Sequence, residues 1–156
     1  MKQLWILLCA LALFGCDNAN QSLNSMPAAG AVVAWLNAPG SEDRNLPFSS
    51  AVRVDNTLYV SGMIGVVPGT MNLAEGGIQG ETRQTLENIS ATLSQFGSSM
   101  ENVVKCTVFL ADMAEWAAMN EIYTGFFPNK PARSAVGVNG LALGARLEIE
   151  CIAVIR

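Results

Sequence analysis

A chain of 156 residues bounds the molecule to one domain with a sizeable core, and at 51% hydrophobic and 14% charged it must bury much apolar surface, some of it between subunits. A formal net charge of −4 and a sequence pI near 4.7, with no basic run, give nucleic acid little to bind. With no histidine, Ser-His and Cys-His triads are excluded and zinc sites are disfavoured.

The chain opens as a targeting segment. Lys2 supplies a positive start, and the apolar run from Leu4 to Phe14 falls short of the roughly 20 residues a membrane-spanning helix needs. Leu13-Phe14-Gly15-Cys16 resembles a lipobox, the cleavage site before a lipidated cysteine, with Phe14 where a small residue is usual. Residues 1–15 are therefore expected to be a lipoprotein signal peptide. Cys16 would carry the lipid that holds the protein on a bacterial membrane, on the periplasmic side. An ordinary secretory signal or an uncleaved anchor is the alternative. Residues 16–36, rich in Asn, Ser, Ala and Gly, read as a flexible tether to a domain over 37–156.

Two short strands follow, Ala51 to Val54 and Thr57 to Gly62, around a turn at Asp55-Asn56. The Gly-, Pro- and Asn-rich stretch from Val66 to Gly80 reads as a loop. Leu86, Ile89, Leu93 and Phe96 recur at helical spacing, predicting a helix from Glu81 to Phe96 with Gly97 just past its end. A strand from Val103 to Leu110 would put Val104, Cys106, Val108 and Leu110 on one face. Asp112 and Glu115 form a variant capping box for a second helix, whose stripe is Trp116, Met119, Tyr123 and Phe126 and which Pro128 and Pro131 end. Strands over Arg133 to Val138 and Arg146 to Ile155 complete a β-β-α-β-α-β-β order.

Two amphipathic helices covering one sheet face make an α+β layer arrangement, and the other face, apolar too, would need a partner. Cys106 and Cys151 both lie in strands; they are either buried thiols or a disulfide, which sequence alone does not decide.

Two places carry chemistry. On the last strand Glu148 and Glu150 head a face that turns apolar, so they sit either at a solvated strand end or in a pocket with a counter-charge. Arg133 opens its strand between Pro131-Ala132 and Ser134-Ala135, and needs either a structural ion pair or an anionic ligand, such as a substrate carboxylate held bidentately.

The ordered set Asn37-Ala38-Pro39, Leu58-Tyr59-Val60-Ser61-Gly62, Gln84 to Ile89, Val104 to Leu110, Asn120 to Tyr123 with Phe126-Phe127, Pro131 to Val136 and Leu147 to Val154 resembles the Rid (formerly YjgF) family of imine/enamine deaminases. That resemblance implies a chorismate-mutase-like fold, with two helices on a mixed sheet, assembled as a homotrimer with pockets between subunits. It implies that Arg133 binds the carboxylate of a 2-imino or 2-enamino acid and that Glu148 positions the attacking water, releasing ammonia and a 2-keto acid. Ser61, Gly62 and Asn120 match other pocket positions, and Ser134 and Phe48 stand among the expected substrate contacts. No cofactor or metal is implied, because an imine is already electrophilic.

Phe48 replaces a frequent Tyr, Met63 a frequent Gln and Ala135 a common Cys, and the link from Phe127 to Pro131 is short for the family. A non-catalytic lipoprotein that binds a small carboxylate on the same fold is the second reading. A ribonuclease, a label attached to some relatives, is disfavoured by the acidic pI and the missing histidine.

Overall fold

A computed structural model describes residues 30–38 and 46–156. The expected lipidation site Cys16, the signal segment and Pro39 lie outside the described residues. Six strands form one mixed sheet: β1 (Val33–Leu36), β2 (Ala51–Val54), β3 (Thr57–Met63), β4 (Val103–Leu110), β5 (Ala132–Gly137) and β6 (Leu147–Val154). Their order across the sheet is β1-β2-β3-β6-β4-β5. Only β4 and β5 run parallel, because the helix between them carries the chain back to the same end of the sheet.

Helices α1 (Gly77–Gln95) and α2 (Trp116–Phe126) supply the second layer. On α1, Leu86, Ile89 and Leu93 are fully buried, as the 3-4 spacing requires, and they meet Leu58, Val108 and Ile149 from the sheet. Each such side chain contributes about 1.5–3 kcal/mol by leaving water. At the end of α1 the Ser98 N–H donates to Leu93 O and the Gly97 N–H to Ser94 O. Gly97 takes φ +80°, which a residue with a Cβ resists, so it closes the helix as the sequence predicts.

Four readings change. An extra strand, β1, pairs with β2 and occupies the last residues of the stretch expected to be tether. Helix α1 begins at Gly77, four residues before Glu81, anchored by buried Ile78; tertiary packing outweighs the poor helix propensity of Gly77 and Gly80. A bulge between Val103 and Lys105 turns Val104 outward, 47% exposed, and gives its core position to Val103. The second helix is preceded by a 3-10 turn over Met113–Glu115, closed when the Ala114 N–H donates to Asp112 Oδ1. Glu115 does not complete a capping box; it pairs with Arg146.

Arg146 also ties α1 and the turn ahead of α2 to the start of β6. Its backbone N–H donates to Glu81 Oε2 at 2.9 Å, and its Nε lies 3.8 Å from Glu81 Oε1. Glu81 is 5% exposed, so that carboxylate is buried with its partners rather than alone.

Cys106 and Cys151 stand directly opposite each other on β4 and β6 and are joined as a disulfide, with a Cα–Cα distance of 4.1 Å. This settles the alternative left open by the sequence. The uncovered sheet face is less apolar than expected: Lys105, Thr107 and Glu150 stand there with Tyr59 and Ile152 around a depression of about 160 Å³, and Glu148 shares that face one residue pair along β6. Among the described residues no helix is long and apolar enough to cross a membrane.

Candidate functional site

Arg133 sits on edge strand β5 in register with Cys106 of β4, and so projects toward the helix layer. One row of α2 receives it. Trp116, Asn120 and Tyr123 follow one another at spacings of four and three, which places them on the same helix face. Arg133 Nη1 donates to Asn120 Oδ1 at 2.6 Å, and the guanidinium carbon lies 4.6 Å from the Tyr123 ring centroid and 5.8 Å from that of Trp116. Both distances are within cation–π range.

Among the described residues Arg133 has no carboxylate partner; the salt bridges found belong to Arg146. The structural ion pair that could have explained Arg133 is therefore absent among the described residues. A half-buried guanidinium held by neutral groups retains donors for an anion. Beneath it, Tyr123 is 5% exposed and its hydroxyl has no hydrogen-bond partner. Burial pushes its pKa up to about 12, against the opposing pull of the Arg133 charge.

Glu148 occupies the other face. It is in register with Phe109 on β4, two strands from Arg133, while its neighbours Leu147 and Ile149 are fully buried under the helices. The β3–β6 pairing passes from Val60 opposite Cys151 to Met63 opposite Ile149, so Ser61 and Gly62 together span what Glu150 spans alone. That bulge brings Gly62 against the Glu148 side chain, where a Cβ would fall 2.8 Å from the carboxyl carbon. Ser61 secures the bulge by donating its hydroxyl to Ser49 O at 2.7 Å and its N–H to Ser50 O at 3.1 Å. Among the described residues the Glu148 carboxylate makes neither hydrogen bond nor ion pair.

The structure thus brings Arg133 together with Asn120, and Glu148 together with Gly62 beside Ser61. It separates the two groups. Ser134 goes with the Glu148 face, accepting from Lys105 Nζ at 2.7 Å, and Phe48 lies 56% exposed ahead of β2. Strands in a sheet are spaced roughly 4.8 Å apart, so Arg133 and Glu148 stand about two spacings apart on opposite faces. No small acid bound to one copy of the chain reaches both.

Trp116 and Tyr123, which flank Arg133, are residues that sequence reasoning assigned to the core stripe. The signal was present, since Asn120 lies between them on one face, but their spacing serves packing equally well. Among the described residues there is no group of His, Cys, Asp or Glu able to hold a metal ion. The chemistry on offer is a fixed cation and a fixed carboxylate.

A profile of the family described as Endoribonuclease L-PSP matches residues 37–155. The chain is 46% identical over 109 residues to the mouse 2-iminobutanoate/2-iminopropanoate deaminase, covering 69% of this chain and 81% of that one. It is 43% identical over 124 residues to the human protein of the same name, covering 79% and 88%. The solved structure of the yeast protein YEO7 superposes with a TM-score of 0.73 at 36% identity, over 80% of this chain and all (100%) of the other.

Proposed function

This chain belongs to the Rid/YjgF family, and we propose that it hydrolyses reactive 2-imino and 2-enamino acids to 2-keto acids and ammonia. The observation that carries the reading is Arg133, a half-buried guanidinium with only neutral partners, in a chain similar to proteins named for deaminating short 2-imino acids. Arg133 takes the substrate carboxylate through its remaining N–H groups.

Glu148 comes from a neighbouring copy, because the two residues face opposite sides of one sheet. A homotrimer with three equivalent pockets satisfies this with a closed ring. Glu148 accepts a proton from water as the water oxygen bonds to the imine carbon. The C=N electron pair moves to nitrogen, which takes the proton back from Glu148. The resulting carbinolamine gives its hydroxyl proton to Glu148, which passes it to nitrogen as the C–N bond breaks, so that ammonia leaves, the carbonyl forms and the carboxylate is restored. Placing acid, water and carboxylate together in a partly enclosed site supplies the rate. Ser61 and Gly62 shape the Glu148 side; Ser134 shares the sheet face of Glu148, and Phe48 stands exposed ahead of β2, where it can meet substrate across the subunit boundary.

The chain's location belongs to the same proposal: Cys16 carries lipid and tethers the domain to a bacterial membrane, periplasmic side. The Cys106–Cys151 disulfide supports an oxidising compartment. That same disulfide favours a second reading, in which the exported protein binds a small carboxylate without turnover, away from the cytosolic enzymes that generate imines.

The deciding experiment measures ammonia release from enzymatically generated 2-imino acids. Wild type should be active, with Arg133→Ala and Glu148→Ala both inactive. Either variant working at the wild-type rate would remove that residue from the mechanism. An inactive wild type that retains 2-keto acid would favour the binding protein.

A further inference from the structure

Arg133 is held by two aromatic rings as well as by a hydrogen bond. Trp116 is 42% exposed, so much of its indole is not part of the core. Yet it lies 5.8 Å from the guanidinium carbon, with the Tyr123 ring at 4.6 Å and Asn120 Oδ1 hydrogen-bonded to Nη1. A free arginine side chain samples many rotamers, and ordering it on ligand binding weakens affinity. Ring faces attract the guanidinium through their quadrupoles without consuming its N–H donors, whereas a carboxylate in the same place would consume them. The arrangement therefore fixes the cation and leaves it uncompensated.

We infer that Trp116 and Tyr123 are positioning residues for Arg133, an aromatic clamp that preorganises its guanidinium for the carboxylate of a 2-imino or 2-oxo acid. The ligand class rests on the deaminase reading above; the clamp itself rests on the geometry. Tyr123 is buried and packs on Phe127 with ring centroids 4.6 Å apart, so truncating it endangers the fold. Trp116 is the residue to test.

Binding of 2-oxobutanoate is measured by calorimetry in wild type, Trp116→Ala, Trp116→Phe, Arg133→Ala and the double variant Trp116→Ala/Arg133→Ala. Trp116→Ala should weaken binding roughly tenfold, Trp116→Phe should recover most of it, and Trp116→Ala should change nothing once Arg133 is gone. The amide analogue 2-oxobutanamide should bind wild type and Trp116→Ala alike. Equal losses with and without Arg133, or none, would overturn the inference.

Side-chain NMR of Arg133 supplies an arm independent of ligand and turnover. Wild type should show ring-shifted Arg133 signals with slow guanidinium rotation, and Trp116→Ala should move the signals and speed the rotation. Unchanged Arg133 signals would refute the clamp. A wild type that binds no 2-oxobutanoate, but shows this NMR response, would refute the ligand assignment and leave the clamp standing.

Discussion

Glu148 lies against the α-carbon of Gly62, where an added methyl would stand 1.8 Å from its Oε1. Gly62 is not among the residues with positive φ, so its backbone suits alanine, and the nearest atoms a methyl would meet all belong to the Glu148 side chain. Gly62→Ala should therefore fold, with stability within about 1 kcal/mol of wild type, while moving the Glu148 carboxyl by an ångström or more. A displacement of that size costs on the order of 100-fold in rate. Steady-state deamination rates beside thermal unfolding would check this; wild-type turnover in Gly62→Ala would mean that Glu148 need not occupy its observed position.

The helices and central strands were legible because their apolar spacing has a single reading: Leu86, Ile89 and Leu93 define a face wherever the helix begins. What the sequence hid is set by pairing between distant segments. The bulge at Ser61-Gly62 exists only in register with Glu150, and the one at Val104 only against Ala153 and Ile152. Cys106 and Cys151 became a pair only when β4 and β6 aligned. Arg133 and Glu148 were each singled out through the family pattern. That they face opposite ways follows from a register that alternation within a single strand cannot reveal.

The disulfide joins central strands across a sequence separation of 45 residues. Closing a loop of that length restricts the unfolded chain by about 4 kcal/mol in the chain-entropy account, and native disulfides commonly contribute about 2–5 kcal/mol. The double variant Cys106→Ala/Cys151→Ala should lose stability in that range by urea unfolding. Thiol titration of the unfolded wild-type domain from residue 30 onward should find no free thiol until reductant is added. Two titratable thiols and an unchanged unfolding midpoint would contradict the bridge.

Tyr123 binds its proton more tightly in the folded state, with a pKa of about 12 against 10.0 for the free side chain. The stability this represents is fully present below pH 10 and is lost as pH rises toward 12, on the order of 2–3 kcal/mol in all. Tyr123→Phe keeps the ring under Arg133 and removes a buried hydroxyl without a partner. It should match or exceed wild type at pH 7 by up to about 1 kcal/mol. The advantage of the variant should widen between pH 10 and pH 12. Urea unfolding of both proteins at pH 7 and pH 11 measures the difference; a constant gap would show that the hydroxyl is solvated in solution.

Opposite-face placement of Arg133 and Glu148 predicts complementation between two dead proteins. Arg133→Ala retains Glu148, and Glu148→Ala retains Arg133. In a ring where each pocket takes Arg133 from one copy and Glu148 from the next, random mixing leaves about a quarter of pockets with both. Unfolding the two variants together and refolding them should therefore restore about a quarter of wild-type ammonia release, although each variant refolded alone remains inactive. A pocket built within one chain would contain at least one alanine in every copy, and the mixture would stay inactive. Size measurement of the refolded mixture distinguishes that outcome from failed assembly, because only a correctly sized but inactive oligomer refutes a shared site.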